Sequence, residues 1–110
     1  MRPPRMNRAL ILQAPTRTPD GAGGYTQGWQ TLGTLWAAVT PATGREAAAL
    51  GAALARVPVR ITLRAAPAGD PRRPIAGQRL TEGPRSFLIL AVQETSARLL
   101  TCIAEEELVR

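Results

Sequence analysis

The chain has 110 residues, 45% of them apolar and 20% charged, which suits one packed domain and argues against wholesale disorder. Its 14 basic residues, all Arg, outweigh 8 acidic ones for a net charge of +6, so contact with a polyanion is open from the start. No His and a single Cys exclude a zinc finger, a Cys–His nucleophile, a Ser-His-Asp triad and an internal disulfide framework.

No apolar run approaches the ~20 residues of a membrane span. The basic opening Met1–Arg8 precedes an apolar stretch too short for a signal peptide, so the expectation is a soluble protein without a targeting segment. Arg8–Gln13 (RALILQ) predicts a first strand, ended by Ala14-Pro15 because Pro cannot donate to a ladder. Residues 14–24 then predict a long loop, with the turn dipeptides Asp20-Gly21 and Gly23-Gly24. Tyr25, Gln27 and Trp29 recur at period two and predict a second strand over Tyr25–Thr31, paired with the first as a hairpin. Gly33 marks a bulge or bend before a third strand, Thr34–Thr40.

The period then changes. Thr43-Gly44-Arg45-Glu46 fits a capping box, and the Ala- and Leu-rich Ala47–Arg56 predicts a short helix with Leu50 and Leu54 on one face. Gly51 makes it irregular. Residues 42–56 are thus a helix or an extended interaction segment. In Val57–Ala65, Val57, Val59, Ile61 and Leu63 point one way and Arg60, Thr62 and Arg64 the other. Residues 66–74 hold three Pro, a Gly and an Asp and predict a second loop. Ile75–Leu80 predicts a short strand, Glu82-Gly83-Pro84 a turn, and Ser86–Val92 with Arg98–Ala104 a closing hairpin. The fold class is mainly β: one domain over 1–110, a small antiparallel barrel or sandwich of six or seven strands, with long loops and one short helix. Residues 1–7 form an N-terminal arm, and 105–110, with Glu105-Glu106-Glu107, a solvated acidic tail.

Chemistry-bearing residues are few. Asp20 and Asp70 sit in turns, Glu46 is a cap, and Cys102 in an apolar strand reads as a small buried hydrophobe. Gly21, Gly23 and Gly24 precede a strand and so do not cradle phosphate. Core packing is expected for Trp36 and Phe87; Trp29, beside a long loop, and Tyr25 leave stacking on bases open. The arginines are scattered, with small groups at Arg2, Arg5, Arg8 and at Arg72, Arg73. No enzyme, metal or cofactor is indicated.

The ordered set Leu10-Ile11-Leu12-Gln13, Asp20–Gly24, Trp29, Leu35-Trp36-Ala37-Ala38-Val39-Thr40-Pro41, Gly44-Arg45-Glu46 and Val59-Arg60-Ile61-Thr62-Leu63-Arg64 resembles the head-closure, or head–tail joining, family of tailed bacteriophages and phage-derived gene transfer agents. The resemblance spans residues 5 to 104. It departs at Pro58, where the family often carries a basic or aromatic residue, and in the small side chains of Ala47–Ala55.

The resemblance implies a structural virion neck protein and a small β-barrel. Six or twelve copies would form a ring below the portal and adaptor, close the DNA-filled head and offer the tail its attachment surface. Its location would be the virion neck, assembled in the bacterial cytoplasm, with no membrane partner. A head-to-tail ring needs two different patches per copy. The candidates are Asp20, Gly23 and Tyr25 on one side and Arg45, Glu46, Leu50 and Leu54 on the other. Arg72 and Arg73 are candidates to face the channel and packaged double-stranded DNA, or else to form interface ion pairs. Two alternatives stand beside this: a tail terminator ring, and a small non-sequence-specific nucleic-acid-binding barrel, which would bind tightly as a monomer with a steep salt dependence.

Overall fold

Val59, Ile61 and Leu63 are buried and Arg60, Thr62 and Arg64 are not, so the alternation in this segment becomes strand β3 (Pro58–Arg64), one face in the core and the other outside. In the computed structural model, which describes residues 5–52, 55–96 and 98–107, this strand is one of six. The others are β1 (Arg8–Pro19), β2 (Tyr25–Pro41), β4 (Arg79–Glu82), β5 (Arg85–Ser96) and β6 (Leu99–Glu107), with helix α1 (Gly44–Ala49) between β2 and β3. All pairings are antiparallel, in the order β1-β2-β3-β6-β5-β4. Ile11–Gln13 of β1 pair with Arg79–Thr81 of β4 and close the sheet into a barrel. Closure leaves the body without an open edge.

The barrel is filled from every strand. Leu10, Leu12, Ala37, Ile61, Leu63, Leu80, Phe87, Ile89, Leu100 and Cys102 belong to one buried cluster. Each large aliphatic or aromatic side chain taken from water there contributes about 1.5–3 kcal/mol. Cys102 behaves as the small hydrophobe expected; burial pushes its thiol up to about 12.

A smaller cluster lies outside the barrel. Ile103 points away from the core and is covered by Ala47 and Ala52, with Leu50 and Leu90 packed beside them. Small residues let α1 lie close to the sheet. The expected helix over Ala47–Arg56 is shorter and starts earlier, because Gly51 at φ 84 takes the left-handed conformation that ends it after Ala49.

The long loop expected over 14–24 is mostly strand. β1 runs through Pro15 to Pro19, and only Asp20–Gly24 turn the chain. Beyond Gln13, β1 has β2 on one side and, among the described residues, no strand on the other, so the prolines occupy an edge where a missing N–H costs no ladder bond. The second and third expected strands are one, β2, kinked where Gly33 faces Leu12 and Thr31 faces Gln13, leaving Leu32 as the extra residue of a bulge.

That bulge corrects the expectation for Trp36. It shifts Trp36 onto the outward face opposite Ala9, where it is 61% exposed, while Phe87 is buried as expected. Ile75 is likewise exposed and lies before β4, which starts at Arg79 because Arg79 is the first residue opposite β1. Val57 precedes β3 and is exposed rather than inward. Glu105–Glu107 are not a solvated tail: they pair with Ser86–Leu88 and extend β6.

Ala14–Pro19 and Tyr25–Gln30 pair only with each other among the described residues. They form a two-stranded ribbon that leaves the barrel and runs on for ~20 Å at the usual rise per residue. It accounts for the 55 × 28 × 25 Å extents of the molecule.

Candidate functional site

The strands run between two rims. One rim gathers the end of β3, the loop 65–78, the start of β4, the β5–β6 turn and the root of the ribbon. The other gathers the starts of β1 and β3, the Gly83-Pro84 turn and the end of β6.

The expected residues Asp20, Gly23 and Tyr25 come together at the ribbon tip. The Asp20 carboxylate accepts the N–H groups of Ala22 (2.8 Å) and Gly24 (3.1 Å), and these bonds hold it below the usual carboxylate range. Gly23, at φ 85, supplies the left-handed residue the turn requires. Asp20 therefore shapes the tip. Tyr25 is 58% exposed, with the Arg17 guanidinium 4.4 Å from its ring centre. Because paired residues share a face, Pro15, Arg17, Gln27 and Trp29 lie on the same side of the ribbon as Tyr25. At the ribbon's root Arg79 donates to Gln13 (2.7 Å) and stacks on Trp29 at 4.1 Å, tying the arm to the barrel.

Arg45, Glu46 and Leu50 lie elsewhere, on the barrel wall. The capping box forms as expected: the Thr43 hydroxyl accepts the Glu46 N–H (3.0 Å), and the Glu46 carboxylate accepts the Thr43 N–H (3.3 Å). The other Glu46 oxygen pairs with Arg60 of β3, and this bond above all lowers the Glu46 carboxyl. Arg45 is exposed, and Leu54 lies outside the described residues. Beside α1, a groove of about 510 Å³ runs over Leu50, Thr62, Leu99, Thr101 and Ile103. The two candidate patches are thus separate, as head-to-tail contact requires.

Arg72 and Arg73 both lie at the ribbon-side rim but differ. Arg73 is tethered: it donates to the Ala66 carbonyl at 2.7 Å and lies 3.8 Å from Glu94. Arg72 is exposed, its backbone N–H bonded to Asp70 at 2.8 Å and its side chain lying over Gly33. At the opposite rim Arg8 pairs with Glu82 and Arg85 with Glu106, while Arg56 is exposed, its backbone N–H bonded to the Glu105 carboxylate. Each pair lowers its glutamate's carboxyl, chiefly through the hydrogen bond from Arg.

Sequence reasoning missed Arg17, Arg79 and Trp36 as surface groups. The clue for the first two was an Arg within reach of each ribbon aromatic, visible only once the register is known. Arg2 lies outside the described residues. Among the described residues no group of His, Cys, Asp or Glu could hold a metal ion, and no helix is long and apolar enough to cross a membrane.

A family model described as phage head completion protein matches residues 1–107. Among solved structures, a chain in the virion of a native gene transfer agent particle is similar at 40% identity and a TM-score of 0.74, covering 97% of this chain and 100% of that one. The solution structure of protein SF1141 from Shigella flexneri 2a is similar at 26% identity and a TM-score of 0.74, with 100% of both chains covered. No curated protein sequence matches.

Proposed function

We propose a function from one premise: the chain belongs to the phage head completion protein family. It is a structural component of a virion-type particle, either a phage or a gene transfer agent. Copies form a closed ring of six or twelve at the neck, below the portal and adaptor. The ring closes the DNA-filled head and presents the surface on which the tail docks. The observation that carries this reading is the 40% identity, over 97% of the chain, to a protein within a gene transfer agent virion.

The layout of the molecule supports it. A rigid barrel holds register while an arm and a wall groove offer two unlike surfaces. Asp20, Gly23 and Tyr25 at the ribbon tip would reach one neighbour, and Arg45, Glu46 and Leu50 around α1 would receive another. A tail terminator ring uses the same geometry and is the second reading.

Electron microscopy of particles made without the gene tests the proposal. DNA-leaking or empty heads with separate tails are expected. Filled heads ending in ragged, overlong tails would favour the terminator. Normal tailed, filled particles would overturn both readings and move the protein to a free nucleic-acid-binding role.

A further inference from the structure

The ribbon-side rim carries arginines that the fold does not use. Arg64 ends β3 with its side chain outward, opposite Leu99, and lines a groove with Met6, Thr34 and Trp36. The Arg98 carbonyl accepts the N–H of Ala65 at 2.8 Å, which places Arg98 beside the end of β3. Arg72 lies over Gly33, next to Thr34 of that groove. All three are exposed, and none enters an ion pair among the described residues. The opposite rim differs: Arg8 and Arg85 are neutralised there, and Glu105 and Glu107 offset the exposed Arg56.

Exposed arginines pointing away from acidic partners keep their full charge and their forked donors for an external anion. Three of them from three segments, at one end of a rigid barrel, match a repeating phosphate chain better than a single small anion. Among the described residues no helix long enough to enter a major groove lies beside them. Helix α1 has six residues and lies against β6.

We infer that Arg64, Arg72 and Arg98 form a contact for the phosphate backbone of double-stranded DNA, without sequence preference. Arg73 is excluded, because its guanidinium fastens the 65–78 loop to Ala66. The inference rests on the neck reading only for where the DNA comes from. In that setting the barrel turns its basic rim toward the packaged genome and its ion-paired rim away.

The test is binding of the full chain to a short duplex of arbitrary sequence, followed by fluorescence anisotropy over a salt series. Three phosphate contacts give a salt slope steeper by about 2.7 than in R64Q/R72Q/R98Q, so between about 50 and 200 mM salt the wild type loses ~40-fold affinity that the variant lacks. R64K/R72K/R98K keeps the charge and is expected to keep most of the slope, which separates charge loss from misfolding. R56Q, at the opposite rim beside Glu105, leaves it unchanged. Equal slopes for wild type and the Gln variant, or no binding of wild type at about 20 mM salt, overturn the inference. A chain that binds DNA this way yet is missing from particles would instead fail the neck reading alone.

Discussion

β1 and β2 each belong to two regions. Up to Leu12 on β1, and from Gly33 on β2, they are staves of the barrel: Leu10 and Leu12 enter a core shared with four other strands. Past the bulge the same two strands have, among the described residues, only each other. There, Thr16, Thr18, Thr26 and Gly28 occupy one face, and Tyr25 and Trp29 with their stacked arginines the other. A two-stranded ribbon in water is marginal, whereas a closed barrel is held by every side chain in its interior. The contrast separates two jobs, with stability placed in the barrel and reach in the arm.

The strongest way to break that contrast is to delete a large side chain from each region. Phe87→Ala in the barrel should cost about 3–5 kcal/mol in urea or guanidinium unfolding, and Trp29→Ala on the arm below about 1 kcal/mol. Comparable losses would mean that the arm is part of the cooperative core. Hydrogen exchange sharpens the same point. Amides of Thr16, Thr18, Thr26 and Gly28 should exchange on the order of a hundredfold faster than those of Ile61 and Leu100, because the arm opens without the barrel. Uniform protection would count against a separable arm.

Acid gives the smallest effect, and on the barrel it acts through the two rim pairs. Glu82 and Glu106 titrate below the ordinary glutamate value of 4.5 because Arg8 and Arg85 bond to their ionised forms. A lowered folded value stabilises the fold above the unfolded value, and the contribution fades as pH falls through the lower, folded one. Both pairs are partly exposed, so each contributes less than about 1 kcal/mol. Denaturation midpoints should drop between about pH 5 and pH 3, and Glu106→Gln should flatten part of that drop. An unchanged profile in the variant would show that the rim pair adds nothing.

Much of the barrel was legible because its signals were local. The alternation of β3, the Glu82-Gly83-Pro84 turn and the Thr43 cap each follow from a few neighbouring residues. What escaped depended on partners. Pro15 and Pro19 argue against a strand unless one knows that their strand is an edge there. Trp36 reads as core until the Leu32 bulge moves it to the outward side that Trp29 occupies. Glu105–Glu107 read as a tail until Arg85 and Ser86 are found bonded to Glu106 and Glu107. The same holds for the candidate surfaces. Their residues could be named, but only the register shows that the ribbon tip and α1 are apart and that Arg73, unlike Arg72, is tied down.

Cys102 bears on durability. It is the chain's one thiol, sealed inside the barrel and raised to about 12, so almost none of it is thiolate near neutral pH. A particle that assembles inside a reducing cell and then persists in aerated surroundings crosses a wide redox gap. This protein offers that gap no exposed thiol: disulfide exchange and thiol oxidation are closed to it for as long as the barrel stays shut.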